Sequence, residues 1–351
     1  MNGFEKQTTT DVQKYYSETL QSSEDLLTSA CCPVDAMPVY IRDIAGEIHP
    51  EVTARFYGCG SPIPNAVAGK TILDLGCGTG RDAFIFSKLV GEQGQVIGVD
   101  MTAEQLAVAN EYADYHREQF GYAKSNTTFH HGYIEELAEL GIKDNSIDIV
   151  TSNCVLNLTA NKKKVFSEIF RVLKPGGELY FSDVFASRRI PEELQNDPIL
   201  RGECLGGALY TEDFRRLMVE IGCNDHRVVS TSSIAINNAD IESKLGMVGF
   251  LSVTVRAFKI DVEDRCEDYG QVAWYRGGIE ESPEKFILDD HHVFEKDRPM
   301  LVCSNTARML QQSRFGAFFE IQGDESTHYG LFDCSTPTVS TDADAAPGAC
   351  C

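Results

Sequence analysis

An α/β fold built on a mostly parallel sheet is predicted for this chain, and three observations carry the prediction. From Lys70 onward, short apolar runs alternate with segments of helical period, an order that requires right-handed crossovers and parallel strands. A glycine-rich turn joins the first apolar run to the first of these helices. Late in the block two half-buried strand patterns follow one helix, as an antiparallel pair closing the sheet edge would.

The elements follow in order. "TILDLG" is the first strand and "RDAFIFSKLV" the helix after its glycine turn. "QVIGVD" is the second strand. "TAEQLAVANEYADYHREQF" is helical, with Thr102 as N-cap, Gln105 completing a capping box, and Gly121 as its stop. "NTTFHHGYI" and "SIDIVTS" supply the third and fourth strands. "KKKVFSEIFRVL" is a helix ended by "KPGG", and "ELYFSDV" is the fifth strand. "TEDFRRLMVEIG" is a helix closing at Gly222. "DHRVVSTSSIAI" and "FLSVTVRAFKI" alternate as strands and form the expected hairpin.

Residues 1–60 read as an N-terminal extension, a helix over "TTDVQKYYSETLQSSEDLLT" and then Pro- and Gly-punctuated, cysteine-bearing loops. Residues 61–262 form the main domain. The acidic, turn-rich "DVEDRCEDYG" opens a small α+β domain over 263–333, and 334–351 is a flexible tail ending in two cysteines. The chain carries 31 Lys+Arg against 53 Asp+Glu, a net charge of −22, which excludes nucleic acid and anionic membrane surfaces as partners. No apolar run approaches the roughly 18 residues of a bilayer span, and the polar N-terminus is no secretory signal, so a cytoplasmic location is expected. Twelve cysteines in such a compartment point to metal binding or redox chemistry. They occur as the pairs Cys31-Cys32 and Cys350-Cys351 and as singles, without C-x-x-C units. Adjacent histidines on a strand face opposite ways, so no chelation is expected from His130-His131 or His291-His292.

"LDLGCGTG" places Gly76, Gly78 and Gly80 between strand and helix, and Asp100 closes the second strand, where a carboxylate accepts ribose hydroxyls. The spacing G-x-G-x-G is tighter than the dinucleotide loop and suits an adenosine ligand with an amino-acid tail and no phosphate. Cys77, inside the loop, reads as structural.

The fourth strand runs into "NCVLNL". No His, Glu or Lys in that segment offers a general base; Cys154 offers a soft sulfur ligand. Cys204 in "RGECLGGALYT" follows the fifth strand and falls near the same carboxyl edge of the sheet, and Cys59 in "RFYGCGSPIP" lies just upstream of the core. Three thiols converging on one cofactor make a soft, pyramidal site. Zinc and hard cations ask for other ligands; a trivalent metalloid takes three thiolates and keeps a lone pair able to attack a sulfonium methyl. Cys223, Cys266, Cys303 and Cys334 show no such context and read as structural.

The segments "RFYGCG", "ILDLGCGTGRD", "GVDMT", "HGYIEEL", "DIVTSNCVLNL", "VLKPGGELYFSDV" and "GECLGGALY" together resemble the arsenite methyltransferases of eukaryotic type, from about residue 11 to residue 332. The resemblance implies a class I methyltransferase fold, Rossmann-like, with a mostly parallel sheet and an antiparallel last strand. It implies S-adenosyl-L-methionine held by Gly76, Cys77, Gly78, Asp100 and Met101 and lined by Tyr57, Ile134, Glu135 and Val155. Cys59, Cys154 and Cys204 become arsenic ligands. The family's N-terminal cysteine falls at Cys31 or Cys32, with Cys31 favoured by its place after the helix, and is implied to form a disulfide with Cys59 during turnover. Arsenite or its glutathione conjugate is the implied substrate, methylated once, twice or three times in arsenic detoxification. Thioredoxin or glutathione is the implied reductant. Two other readings stay open at this point: a carbon- or oxygen-directed small-molecule methyltransferase, and a non-catalytic thiol-rich metalloid-binding protein.

Overall fold

The structure is a computed structural model that describes residues 37–56, 58–236 and 238–334. The expected N-terminal helix, Cys31, Cys32, Tyr57, Cys350 and Cys351 lie outside the described residues.

The strands are β1 (Thr71–Leu75), β2 (Gln95–Asp100), β3 (Thr127–His131), β4 (Ile147–Asn153), β5 (Leu173–Ala186), β6 (Leu209–Tyr210), β7 (His226–Ser233) and β8 (Phe250–Phe258). They form one sheet in the order β3-β2-β1-β4-β5-β8-β7, with β6 beside β5. Strands β1 to β6 pair in parallel, and β8 runs antiparallel to both β5 and β7. The helices of this region are α1 (Val39–Gly46), α2 (Pro50–Thr53), α3 (Arg81–Val90), α4 (Ala103–Glu111), α5 (Ala113–Gln119), α6 (Lys162–Val172), α7 (Glu192–Gln195), α8 (Pro198–Gly202), α9 (Thr211–Glu220) and α10 (Ala239–Leu245).

Two apolar layers sandwich the sheet. On one side Val165, Phe166 and Ile169 of α6 and Phe214 and Met218 of α9 pack against Val150, Leu179 and Phe181. On the other, Phe84 and Phe86 of α3 pack with Ile72, Val96 and Ile149. Central strands covered on both faces read as continuous apolar runs, as parallel strands do.

Four local expectations are corrected. The stretch read as loops before residue 60 contains α1 and α2, whose Ile41 and Val52 join the α3 layer; Pro50 at the first helical position is tolerated because its missing N–H has no intrahelical role there. "KPGG" follows the end of α6 as expected but is itself strand, part of β5: Gly176 N–H donates to Lys259 O at 2.8 Å, and Lys259 N–H donates to Gly177 O at 2.8 Å. The closing pair is no tight hairpin, since α10 intervenes and β8 sits between β5 and β7. Thr102 occupies the N-cap position without a capping side-chain bond to α4; its N–H is taken by Asp100 at 2.8 Å.

Beyond β8 come β9 (Glu267–Asp268), β10 (Gln271–Tyr275), β11 (Lys285–Ile287), β12 (Val293–Glu295), β13 (Pro299–Val302), helix α11 (Ser304–Gln312), β14 (Phe319–Gln322) and β15 (Gly330–Leu331). Strand β10 lies between β13 and β14, both antiparallel to it. This small α+β region has its own core of Tyr275, Phe286, Phe294, Met309, Leu310 and Phe315. Buried charges tie it to the sheet. Glu178 of β5 pairs with Arg256 of β8 at 2.7 Å and with Arg314 at 2.5 Å. Arg256 also donates to Leu288 O at 2.5 Å.

Candidate active site at the carboxyl edge of the sheet

The turn after β1 winds through Gly76 (φ 72°) and Gly78 (φ 52°) to Gly80 (φ 87°), the N-cap of α3. A Cβ on Gly76 would lie 2.3 Å from a Val155 methyl, so glycine both supplies the left-handed backbone and lets the β4 loop close over it. Asp100 accepts from Gly78 N–H at 2.9 Å and from Thr102 N–H at 2.8 Å. It therefore braces the turn, while each carboxylate oxygen keeps a second lone pair for a ligand. Gly76, Cys77, Gly78, Asp100, Met101, Ile134, Glu135 and Val155 all line one cavity, together with Asp74, Asp82, Thr102, Gln105, Asn153 and Cys154.

The chemistry of this cavity fits S-adenosylmethionine. Burial pushes the carboxyls of Asp82 and Asp100 up, and that of Asp74 well up, the last with help from its two neighbours. A cationic ligand relieves that cost, and a sulfonium with an α-ammonium is such a ligand. Asp74 Oδ2 and Gln105 Oε1 are buried and lack hydrogen-bond partners among the described residues, as acceptors waiting for ammonium, amine or hydroxyl donors would. Burial, and then Asp100 and Asp74, push the Cys77 thiol well up, so it stays protonated, consistent with a structural role.

The three cysteines come together. Cys59, Cys154 and Cys204 share one buried apolar cluster with Val184, Leu200 and Leu205. Asn153, at the tip of β4, clamps the Cys59 loop by exchanging hydrogen bonds with Gly60 (3.3 and 2.9 Å) and donating to Asp82 at 3.0 Å. Ser252 Oγ donates to Cys59 O at 2.7 Å. A Cβ on Gly60 would meet Ser182 Oγ at 2.6 Å. Cys154 donates its N–H to Ser182 O at 2.8 Å, and Cys204 Sγ lies 3.2 Å from Cys154 O. Both Cys154 (φ 58°) and Cys204 (φ 61°) hold left-handed backbone, a conformation that non-glycine residues keep only where the surroundings enforce it. Cys59 and Cys154 are joined as a disulfide, with Cα atoms 5.7 Å apart. The resemblance implied Cys31 as the partner of Cys59; here it is Cys154.

A polar network invisible in the local sequence backs the thiols. Asp183 of β5 accepts from Asn157 N–H at 3.0 Å, Asn157 Nδ2 at 2.7 Å and Val184 N–H at 2.8 Å, and its carboxylate falls within 4.8 Å of the Cys59 and Cys154 sulfurs. Burial raises its pKa to about 7. Burial lowers Lys162, which donates to Asn157 O and Thr159 O at 3.2 Å, to about 8. The only local signal was a carboxylate in the apolar run "ELYFSDV". Because the native carboxyl takes up its proton more readily than the unfolded one, its contribution to stability is fully present below about pH 4 and is lost as pH rises through 7. Asp183→Asn is expected to flatten stability against pH in that window, measured by urea unfolding at several pH values; parallel curves for the two proteins would refute this.

Outside the site, Cys303 is more than inert filling. It caps α11, accepting from Thr306 N–H at 3.4 Å, with Arg227 Nη2 3.9 Å away. A hydrogen bond from Cys266, and then Arg227, pull its thiol down to about 5. His291 and His292 sit in a turn rather than on a strand, each turned to its own aspartate, Asp290 and Asp289. Among the described residues no helix is long and apolar enough to cross a membrane.

Comparison with known proteins places this geometry. A family model described as "Methyltransferase domain" matches residues 66–222, and one described as "Arsenite methyltransferase C-terminal domain" matches residues 269–344. An arsenite methyltransferase of Aquipseudomonas alcaligenes is 52% identical over 92% of this chain and 93% of its own length. That of Homo sapiens is 44% identical over 89% of this chain and 83% of its own. The crystal structure of an arsenic(III) S-adenosylmethionine methyltransferase from Chlamydomonas reinhardtii superposes with a TM-score of 0.82 at 48% identity, covering 85% of this chain and 100% of that one.

Proposed function

The chain belongs to the arsenite methyltransferase family and is an S-adenosylmethionine-dependent enzyme acting on arsenite; on that premise we propose that Cys59, Cys154 and Cys204 bind trivalent arsenic as three thiolates and present its lone pair to the methyl donor. The observation that carries this reading is the convergence of the three cysteines beside the acidic cofactor cavity, with Cys154 lining that cavity.

Asp74, Asp82, Asp100 and Gln105 hold the donor; Tyr57, which the resemblance implies as a further contact, lies outside the described residues. When bound, S-adenosylmethionine supplies a methyl group on a sulfonium centre and departs as a neutral thioether. The enzyme's thiols act in two capacities. As ligands, they replace small thiols such as glutathione on arsenic one at a time, each cysteine proton leaving with a departing thiol, so no separate general base is required. As electron donors, two of them close to a disulfide and return two electrons to arsenic after methyl transfer has raised it from the trivalent to the pentavalent state. The Cys59–Cys154 bond is chemically such an oxidised product, and Cys31–Cys59 is the alternative pairing that the resemblance implies. A thioredoxin- or glutathione-type reductant reopens it, two thiols becoming one disulfide. Mono-, di- and trimethylated arsenicals are the products of successive rounds, in cytoplasmic arsenic detoxification.

Incubating the enzyme with arsenite, thiol and methyl-labelled cofactor, and following arsenic species by mass spectrometry, is expected to show monomethylated and then dimethylated arsenic. Cofactor binding with no label on arsenic would reject the reading.

A further inference from the structure

A second cavity, of about 830 Å³, lies between the sheet and the small α+β region. The two cavities meet different sulfurs: Cys154 lines the cofactor cavity, whereas Cys59 lines the second one, and neither residue lines both. The Cys59–Cys154 pair is therefore the wall between them. We infer that the second cavity is the port through which arsenic arrives, bound to a short hydrophilic thiol peptide of the glutathione class; the inference rests on the three-thiolate reading above and adds the side of entry and the carrier's binding site.

Size and lining argue for the carrier. Arsenite has four heavy atoms and needs on the order of 100 Å³, scaled from about 30 Å³ per water. The cavity is several times larger and falls in the range of pockets that hold peptide- or drug-sized ligands. Its sheet wall is a ladder of hydroxyls. Ser230 pairs with Thr254 and Ser232 with Ser252 across β7 and β8, two residues apart along each strand and so on one face. Ser252 holds the Cys59 carbonyl, so the ladder ends at the receiving thiol. Lys285 and Glu281 also line the cavity and supply both signs of charge for a zwitterionic peptide.

The step at the end of this port is an exchange. Once a thiol reductant has opened the disulfide, Cys59 Sγ forms a bond to arsenic, one carrier sulfur–arsenic bond breaks, and the cysteine proton leaves on the carrier thiol; the oxidation state of arsenic does not change. Cys154 and Cys204 then complete the transfer toward the cofactor side.

Ser232→Trp fills the ladder without touching the cofactor cavity, and Ser232→Ala is its space-neutral control. Arsenic uptake by the reduced full-length enzyme is followed through sulfur–arsenic absorbance, with tris-glutathionyl arsenite and tris-mercaptoethanol arsenite as donors. Uptake from the glutathione conjugate is expected to slow about tenfold or more in the tryptophan variant, by steric exclusion, with the mercaptoethanol conjugate slowed far less and cofactor affinity unchanged. The alanine variant, which loses one hydroxyl of the ladder but no space, should slow uptake from the glutathione conjugate far less than the tryptophan variant does. Equal slowing for both donors, as when another part of the chain fills the cavity, or no slowing for either, overturns the port. Failure of the wild-type enzyme to take arsenic from either donor would instead sink the three-thiolate reading.

Discussion

Cys204→Ser is expected to bind S-adenosylmethionine with unchanged affinity and to make no methylated arsenic. The reason is chemical rather than steric. Serine matches cysteine in shape and can keep the contact with Cys154 O, but its hydroxyl is not ionised near neutral pH and is a hard donor, poorly suited to arsenic. Two remaining thiolates leave arsenic less electron-rich and its lone pair without a fixed direction, and positioning supplies most of the acceleration in such a transfer. Cys204 does not line the cofactor cavity, which is why binding and turnover should separate. Calorimetry for the cofactor and mass spectrometry for arsenic products read the two independently. Normal turnover by this variant would remove Cys204 from the ligand set.

The largest expected stability effect lies away from the thiols. Glu178→Gln should destabilise the protein by roughly 3–5 kcal/mol, the usual consequence of removing one partner from a buried ion pair. Glu178 is completely buried and is shared by Arg256, also buried, and Arg314. Neutralising it strands two guanidinium groups in an apolar setting that includes the rings of Phe258 and Phe315. The same triad connects β5 and β8 to the small α+β region, so that region should loosen first and methylation should fall with it. Chemical unfolding monitored by circular dichroism gives the magnitude. An unchanged midpoint would show that the triad is not an integral support.

Much of the fold was legible because its central parallel strands, β1, β4 and β5, are buried on both faces. Each of the first five apolar runs became a strand, and the helices over 81–90 and 162–172 match the predicted spans closely, whereas the single helix expected from Thr102 to Gly121 is two, α4 and α5, meeting at Tyr112. The errors arose where one signal had two meanings. "KPGG" looks like a helix stop and is one, but the strand partners on either side draw its glycines into β5. Thr102 with Gln105 looks like a capping box, yet Asp100, two residues earlier, takes the Thr102 N–H that the glutamine side chain would accept in such a box, and Gln105 Oε1 has no partner among the described residues. Proline and glycine before residue 60 suggested loops, whereas burial against α3 stabilises two short helices there.

The sequence by itself determined the cofactor loop, the reading of three cysteines as a soft ligand set, and their likeness to one enzyme family, because those rest on residue identity at short spacing. Only the tertiary structure decided which sulfurs touch, since Cys59, Cys154 and Cys204 come from three distant loops whose meeting depends on how the strand ends line up. It alone placed Asp183 and Lys162 behind those sulfurs and put Cys59 and Cys154 on the faces of two different cavities. The physical reason is that a site at the carboxyl edge of a sheet is assembled by strand order and register, which act across the whole chain, whereas local sequence encodes only the strand or the turn itself.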